Sequence, residues 1–134
     1  MPTNAPSPFG GNEAAITDVK SPVCEVVLAG SGVSLSAVVT NGAGSDNLSD
    51  FGVEFQGYEG GEWVPYLSGA DWASSSIACM KFCTTQSPAD IAANESAGFI
   101  ISVEGMYAVR FWAQCGTGDI ATITFGGGIS GGGY

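Results

Sequence analysis

The chain has 134 residues, of which 13 are acidic and only three are basic, so its formal net charge is −10. This length suits one domain with a single core. Glycine is abundant at 21 residues, and common Thr, Ser, Val and Ile favour strands joined by tight turns. An acidic surface repels phosphate backbones and anionic membranes, so we expect neither nucleic acid nor a membrane as a partner. The acidity serves solubility; a saline habitat and a basic partner are the alternatives.

Residues 1–22 contain four prolines among small polar residues, at positions 2, 6, 8 and 22. This composition predicts an extended N-terminal arm that is mobile by itself or orders as a strap against a neighbouring subunit. The first residues lack the basic region and apolar core of a signal peptide, and no stretch approaches the roughly 20 apolar residues of a membrane span. We therefore expect synthesis in the cytoplasm without a cleaved leader.

The first half of the domain alternates strongly between apolar and polar residues. Residues 24–28 predict a short apolar strand, and residues 33–40 predict a second strand with Val33, Leu35, Ala37 and Val39 on one face. Residues 41–50 form a polar loop of Asx-turn type. A calcium site at Asp46, Asn47 and Asp50 is the weaker alternative, because the regular spacing of an EF-hand loop is absent.

Residues 51–67, with the sequence FGVEFQGYEGGEWVPYL, predict a β-hairpin at the centre of the domain. Apolar and polar residues alternate on both arms. Gly60 and Gly61 supply the positive φ angles that a short hairpin loop needs. A hairpin cannot bury its apolar face alone, so the rest of the chain is expected to provide a second sheet.

The middle of the chain has weaker signals. Residues 68–76 predict a loop that contains Trp72, and residues 77–84 predict a strand or an irregular edge segment. Residues 87–97 predict one helical turn, with Ser87 as the N-cap and Pro88 at the first helical position.

The last third returns to strand patterns. Strands are predicted at residues 98–103, 106–115 and 120–125, with turns at 104–105 and 116–119. Residues 126–134, with the sequence GGGISGGGY, predict a flexible tail because glycine loses much backbone entropy on ordering. The whole pattern predicts an arm at 1–22, an all-β antiparallel domain at 23–125 and a tail at 126–134. The domain would be a β-sandwich or jelly roll of about seven to eight strands.

Catalytic groups are scarce. There is no histidine, which removes Ser–His and Cys–His pairs. No glycine-rich phosphate loop with its lysine is present. Glu54 and Glu62 lie on opposite arms of the hairpin and could act as a glycosidase-like carboxylate pair, but outer-face carboxylates are usually only solvated. We expect no catalytic residue and no cofactor.

Four cysteines leave three interpretations open, at positions 24, 79, 83 and 115. They are buried reduced thiols, one or two disulfides, or an all-cysteine zinc site. Zinc is the least favoured, since only Cys79 and Cys83 are closely spaced. We predict no metal.

The aromatic residues suggest two further uses. Trp63, Trp72 and Trp112, together with Tyr58, Tyr66 and Tyr107, could line a sugar-binding face, although most fit the strand alternation and hence core packing. Trp72, in a loop, is a candidate partner contact, as is the terminal Tyr134.

The order of these features resembles the small β-sandwich structural proteins of tailed bacteriophages, namely capsid decoration (cement) proteins and head or tail accessories. Residues 53–67, VEFQGYEGGEWVPYL, are similar to their strand, glycine-rich tip and Trp–Pro return strand. Residues 98–125, GFIISVEGMYAVRFWAQCGTGDIATITF, are similar to the strand, aromatic-Val-Arg strand and Thr-rich last strand that follow. The proline-rich arm and glycine-rich tail also fit a protein that straps itself to a lattice.

This resemblance implies a mechanical function on the outer surface of a virion. Copies would bind the major capsid protein or another virion protein, bridge neighbours and resist the pressure of packaged DNA. The resemblance also implies a homo-oligomer, with a trimer favoured. A carbohydrate- or receptor-binding module of a tail tip or fibre is the alternative.

Overall fold

Nine β-strands form two antiparallel sheets that pack as a β-sandwich in the computed structural model, which describes residues 7–68, 80–82 and 91–131. The strands are β1 (Ser7–Ile16), β2 (Ser21–Val27), β3 (Gly32–Asn41), β4 (Leu48–Gln56), β5 (Val64–Leu67), β6 (Met80–Phe82), β7 (Ser96–Ser102), β8 (Ala108–Cys115) and β9 (Ala121–Gly131).

The two sheets differ in size. The five-stranded sheet has the order β1-β9-β3-β7-β6, and the four-stranded sheet has the order β2-β8-β4-β5. The predicted all-β antiparallel sandwich is confirmed, while the jelly-roll alternative stays a prediction. No helix long and apolar enough to cross a bilayer occurs in the described parts of the chain.

The core is built around four phenylalanines, each contributed by a different strand. Phe51 of β4 and Phe111 of β8 come from the four-stranded sheet, and Phe99 of β7 and Phe125 of β9 come from the five-stranded sheet. The ring centroids of Phe111 and Phe125 lie 4.9 Å apart, and those of Phe51 and Phe99 lie 5.9 Å apart. Each ring removes a large apolar area from water, so this cluster holds the two sheets together.

The predicted hairpin at residues 51–67 is present as β4 and β5. Phe55 pairs with Val64, and the tip is closed by a turn in which the Gly61 amide donates to the Tyr58 carbonyl at 3.0 Å. Gly60 has the positive φ that the glycine pair predicts. The loop spans residues 57–63, so Trp63 lies outside the return strand.

Both ends of the sandwich extend beyond the predicted boundaries. Ser7–Ile16, inside the predicted arm, forms the edge strand β1, and β9 continues to Gly131, inside the predicted tail. The glycines make this pairing sterically possible: a Cβ at Gly127 would lie 2.7 Å from the Cα of Ala37 on the neighbouring strand. Phe9 of β1 then stacks on Phe111, with centroids 5.8 Å apart. The free energy gained by packing therefore offsets the loss of glycine backbone entropy, which was the reason for predicting a flexible tail.

The middle of the chain is described only in part. Residues 91–97, the later part of the stretch predicted to hold one helical turn, form a turn and the start of β7; the Glu95 amide donates to Ala92 O at 3.0 Å, and Asn94 has a positive φ. Residues 80–82 form the short strand expected within 77–84. The Ser87–Pro88 cap and the loop around Trp72 lie outside the described residues.

Candidate interaction surfaces

The outer face of the four-stranded sheet carries a group that we call the ion-pair cluster: Lys20, Glu54, Trp63, Arg110 and Trp112. Glu54 of β4 and Arg110 of β8 are register partners, so both side chains leave the sheet on the same face. Arg110 donates to Glu54 Oε1 from Nη2 at 2.7 Å and from Nε at 3.1 Å. Lys20, just before β2, donates to the other carboxylate oxygen at 3.1 Å.

The electrostatics of Glu54 follow from these contacts. Burial disfavours the charged carboxylate, but hydrogen bonds and positive charge from Arg110 and Lys20 outweigh burial and lower the pKa of Glu54. Its side chain is only 12% exposed. Glu62 lies on the exposed loop before β5. Because Arg110 and Lys20 favour its ionised form, Glu54 is not suited to be the proton donor of a carboxylate pair.

Trp112 and Trp63 belong to the same cluster, and neither is part of the hydrophobic cluster between the two sheets. Trp112 lies flat over Gly52, where an added Cβ would be 2.5 Å from its Cζ2 atom, and Lys20 Nζ covers its ring at 4.4 Å from the centroid. The guanidinium of Arg110 lies 4.4 Å from the centroid of Trp63. Such cation–π contacts stabilise the face modestly. A cation lies over each of the two rings, so these residues are poorly available as a sugar platform. Trp112 is buried at 6% exposure, as the core-packing interpretation expects, although it lies outside the hydrophobic cluster between the sheets.

The loop between β3 and β4 spans residues 42–47, shorter than the predicted 41–50, and is organised by hydrogen bonds. Asp46 Oδ2 accepts from the Ile120 amide at 2.9 Å, and the buried Asn41 donates from Nδ2 to the carbonyls of Asp46 and Ile91. These bonds join the loop to the β8–β9 turn and to the segment before β7, as expected for an Asx-type loop. Within residues 7–68, 80–82 and 91–131, no three carboxylates or cysteines lie close enough together to share a metal ion.

Two of the four cysteines can be placed. Cys24 is register-paired with Phe111, four residues before Cys115 on β8, which separates the two cysteines by about 13 Å along the strands. A disulfide needs Cα atoms within about 7 Å, so these two thiols do not bond to each other. Burial, followed by the charge of Glu25, raises the pKa of Cys24. Burial, followed by Asp119 and Asp46, raises the pKa of Cys115. Cys79 and Cys83 lie outside the described residues.

The outer face of the five-stranded sheet is different in character, and we call its central part the neutral face. Antiparallel register places its residues in four rows of three across β9, β3 and β7. The rows contain only Ser, Thr, Gly, Val and Ile: Ser130–Ser34–Ser102, Gly128–Ser36–Ile100, Gly126–Val38–Gly98 and Thr124–Thr40–Ser96. No ionisable residue occurs in the four rows. The nearest described ionisable residues are on the two flanking strands: Glu13 on β1, opposite Thr124, and Lys81 on β6, opposite Ile100.

The neutral face has both relief and apolar character. Val38 is 46% exposed and Ile100 is 39% exposed. A depression of about 240 Å³ lies beside them, bordered by Gly98 and Gly127. The glycines leave space where neighbouring positions carry side chains. Two projecting aliphatic groups and a depression therefore share one uncharged surface.

The structure describes only some of the residues that the sequence suggested as partner contacts or site residues. Trp72 and Tyr134, the candidate partner contacts, lie outside the described residues. The strand patterns contained Val38 and Ile100, but alternation alone does not distinguish an exposed sheet face from a covered one. Lys20 could not be assigned to Glu54, because its partner is 34 residues away and lies next to it only in the folded sheet.

Comparison with known proteins supports the fold. No protein-family model and no curated protein matches the chain. Among solved structures, the crystal structure of the SPBc2 prophage-derived protein YomS matches over 97% of this chain and 97% of that chain, with a TM-score of 0.52 and 15% sequence identity. At this identity the similarity shows a shared fold.

Proposed function

We propose that this chain is a non-enzymatic structural protein of a tailed-bacteriophage particle, made in the host cytoplasm and bound as a homo-oligomer to the outside of the capsid. The fold shared with a prophage-derived protein over nearly the whole of both chains carries this proposal. The sequence resemblance to decoration proteins supports the capsid location. In this role it would bind the major capsid protein or another virion protein and stabilise the lattice, without cofactor, nucleic acid or membrane.

The chemistry of the surfaces supports binding over catalysis. The carboxylate best placed for acid–base work, Glu54, is held ionised by Arg110 and Lys20. The neutral face is an open, uncharged surface with exposed aliphatic groups, a character typical of protein contacts. On a repetitive lattice many weak contacts act together, so each copy needs only modest affinity.

Particle composition tests the proposal. Mass spectrometry of density-purified virions, with immunogold labelling, is expected to find this chain in many copies on the capsid surface. Particles made without it should lose integrity at lower temperature and recover when the purified protein is added back. Virions that lack the chain would overturn the proposal.

A receptor- or carbohydrate-binding function is the second candidate, and one feature of the hairpin tip favours it. Tyr58 is 70% exposed and lies against Gly61 beside the acidic Glu59 and Glu62. An exposed aromatic ring with neighbouring carboxylates is a common arrangement for stacking and hydrogen bonding to a sugar. A glycan array with the wild type and Tyr58→Ala distinguishes the two functions: specific binding lost in the variant, with only a few copies per particle, would favour this candidate.

A further inference from the structure

We infer that the neutral face is the contact between two copies of this chain, which pack face to face about a two-fold axis. The inference rests on the proposal that the chain works as a homo-oligomer and names the surface through which it does so. The occupant is a second copy of the same sheet, and three properties of the face lead to it.

Charge is the first property. A chain with a net charge of −10 repels a second copy wherever their acidic surfaces approach. Exposed carboxylates occupy the loops and the edges of the four-stranded sheet, for example Asp18, Glu25 and Glu104. The four rows of the neutral face carry no ionisable group. Two neutral faces in contact keep most carboxylates of the two copies apart, whereas a strongly basic partner would gain nothing from this surface.

Shape is the second property. A two-fold contact uses the same patch on both copies, so the patch must complement itself. Val38 and Ile100 project beside the depression of about 240 Å³. A cavity of about 150 Å³ accommodates a benzene molecule, so this depression has room for an aliphatic side chain from the partner copy. Twisted sheets packed face to face at about −30° bring such knobs and depressions together.

Size is the third property, and it sets the expected affinity. With strands about 4.8 Å apart and rows about 6.7 Å apart, the three strands and four rows of the neutral face cover about 390 Å² per copy. Adding the flanking strand β1 and the short strand β6, which carry Glu13 and Lys81 at the rim of the contact, brings the outer face of the sheet to about 550 Å² per copy. Stable dimers bury about 800 Å² per partner, so this contact lies at the weak end of specific interfaces. We expect a dissociation constant in the range of about 10 to 100 μM, enough for copies that a lattice holds close together.

The test compares charge insertions on the two outer faces in the full-length protein. Val38→Asp and Ile100→Asp place a carboxylate in the neutral face. Val27→Asp makes the same change on the outer face of the four-stranded sheet, where Val27 is 58% exposed, and Val19→Asp makes it in a loop, where Val19 is 64% exposed. Sedimentation equilibrium over about 5 to 500 μM, a range that brackets this affinity, measures the mass of each variant.

The wild type is expected to approach the mass of two copies. The two neutral-face variants should weaken dimerisation at least about tenfold, and the two control variants should dimerise like the wild type. Higher NaCl should strengthen the dimer, since screening reduces repulsion between acidic copies. A wild type that stays monomeric overturns the inference, as does a trimer, the state that the resemblance favours, or equal weakening by the controls.

A second measurement avoids any dependence on variant folding. In a dilution series of the wild type followed by methyl NMR, the resonances of Val38 and Ile100 should shift with concentration, while those of Val19 and Val27 should not. The reverse pattern overturns the inference. If the protein dimerises through this face but does not bind particles, the proposed function is wrong and the proposed contact stands. If it decorates particles but stays monomeric, the proposed contact is wrong and the proposed function stands.

Discussion

Glu54 is the residue on which the outer face of the four-stranded sheet depends most. Replacing it with Gln removes the charge that Arg110 and Lys20 contact and leaves Arg110, itself largely covered, without its ionic partner. We expect Glu54→Gln to lower the free energy of unfolding by about 2 kcal/mol at pH 7. Urea denaturation measures this change, and Glu62→Gln, a matched change at an exposed position, should stay within about 0.5 kcal/mol of the wild type.

The same carboxylate gives a pH dependence with a defined sign. Because the pKa of Glu54 is lower in the folded protein than in the unfolded chain, the unfolded chain takes up the proton first as the pH falls. Its contribution to stability is full above the unfolded pKa of about 4.3 and is lost as the pH falls through the folded value. The difference between wild type and Glu54→Gln should therefore narrow below about pH 4. A difference that widens in acid would contradict this account.

Because Gly52 has no side chain, Trp112 can pack closely against the backbone of β4. A Cβ at this position would collide with the carbonyl oxygen of Leu67 on β5 and lie 2.5 Å from Trp112 Cζ2, so Gly52→Ala must displace the β5 backbone and the indole. We expect a loss of about 2 kcal/mol in stability and a red shift in tryptophan fluorescence. Gly57→Ala, at a position where a Cβ meets nothing within 4 Å, is the control and should be nearly neutral. Equal effects of the two substitutions would argue against a flat Trp112.

The two described thiols should differ in reactivity. Cys115 is buried at 3% exposure and Cys24 is partly exposed; burial raises the pKa of both, which keeps them protonated at neutral pH. In the native protein, iodoacetamide should label Cys24 at least about tenfold faster than Cys115, and both rates should rise with pH. Peptide mass spectrometry measures the rates, and in urea they should converge. If Cys115 were labelled fast in the native protein, the C-terminal end of β8 would be accessible to solvent.

At the scale of elements, β1 is the strand whose role differs most from the sequence-based expectation. Ile16 ends β1 with no exposed surface, so the strand is fastened to the core at its C-terminal end. We expect Ile16→Ala to cost about 3 kcal/mol of stability. Val19→Ala, three residues later in an exposed loop, should change stability by less than about 0.5 kcal/mol. If Ile16→Ala were as mild as the control, β1 would behave as the loose arm that its composition suggests.

A strand could be predicted when the residues that stabilise it are neighbours in the sequence. The strands around Leu35 and Phe111 were predictable, because apolar side chains alternate there with a period of two. The strand around Gly127 was not, because its stability comes from backbones of β1 and β3 that approach from distant parts of the chain. The helix start predicted at Ser87–Pro88 lies outside the described residues; the residues that follow it form the turn before β7, which carries no apolar stripe of helical period.

The candidate surfaces were less predictable than the strands for a related reason. Glu54 was singled out as a carboxylate with a chemical role, but its cations come from β8 and from the segment before β2. The neutral face emerges only when three strands are placed in register, since each strand alone shows an ordinary alternation of Ser or Thr with aliphatic residues. Sequence patterns predict which face of a strand is buried, but not which strands share the other face.

The charge of the whole molecule has a consequence for its stability. Two of the three basic residues, Lys20 and Arg110, both contact Glu54, so the remaining carboxylates far outnumber the third cation and repel one another across the surface. Screening of this repulsion by salt should outweigh the weakening of one partly buried cluster. We expect that raising NaCl from about 20 to about 500 mM increases the free energy of unfolding by about 1 kcal/mol, measured at low micromolar concentration where dimers are scarce.

The control for this salt effect changes charge without touching the core. The double variant Glu59→Gln, Glu62→Gln removes two exposed carboxylates at the hairpin tip and should show a smaller gain in stability between the two salt concentrations. Because repulsion acts between all carboxylates, its strength falls with net charge, whereas the contacts of Glu54 are the same in both proteins. Urea midpoints at the two salt concentrations give the comparison. A wild type that loses stability in salt would mean that the ion-pair cluster, and not repulsion, dominates the electrostatics of the fold.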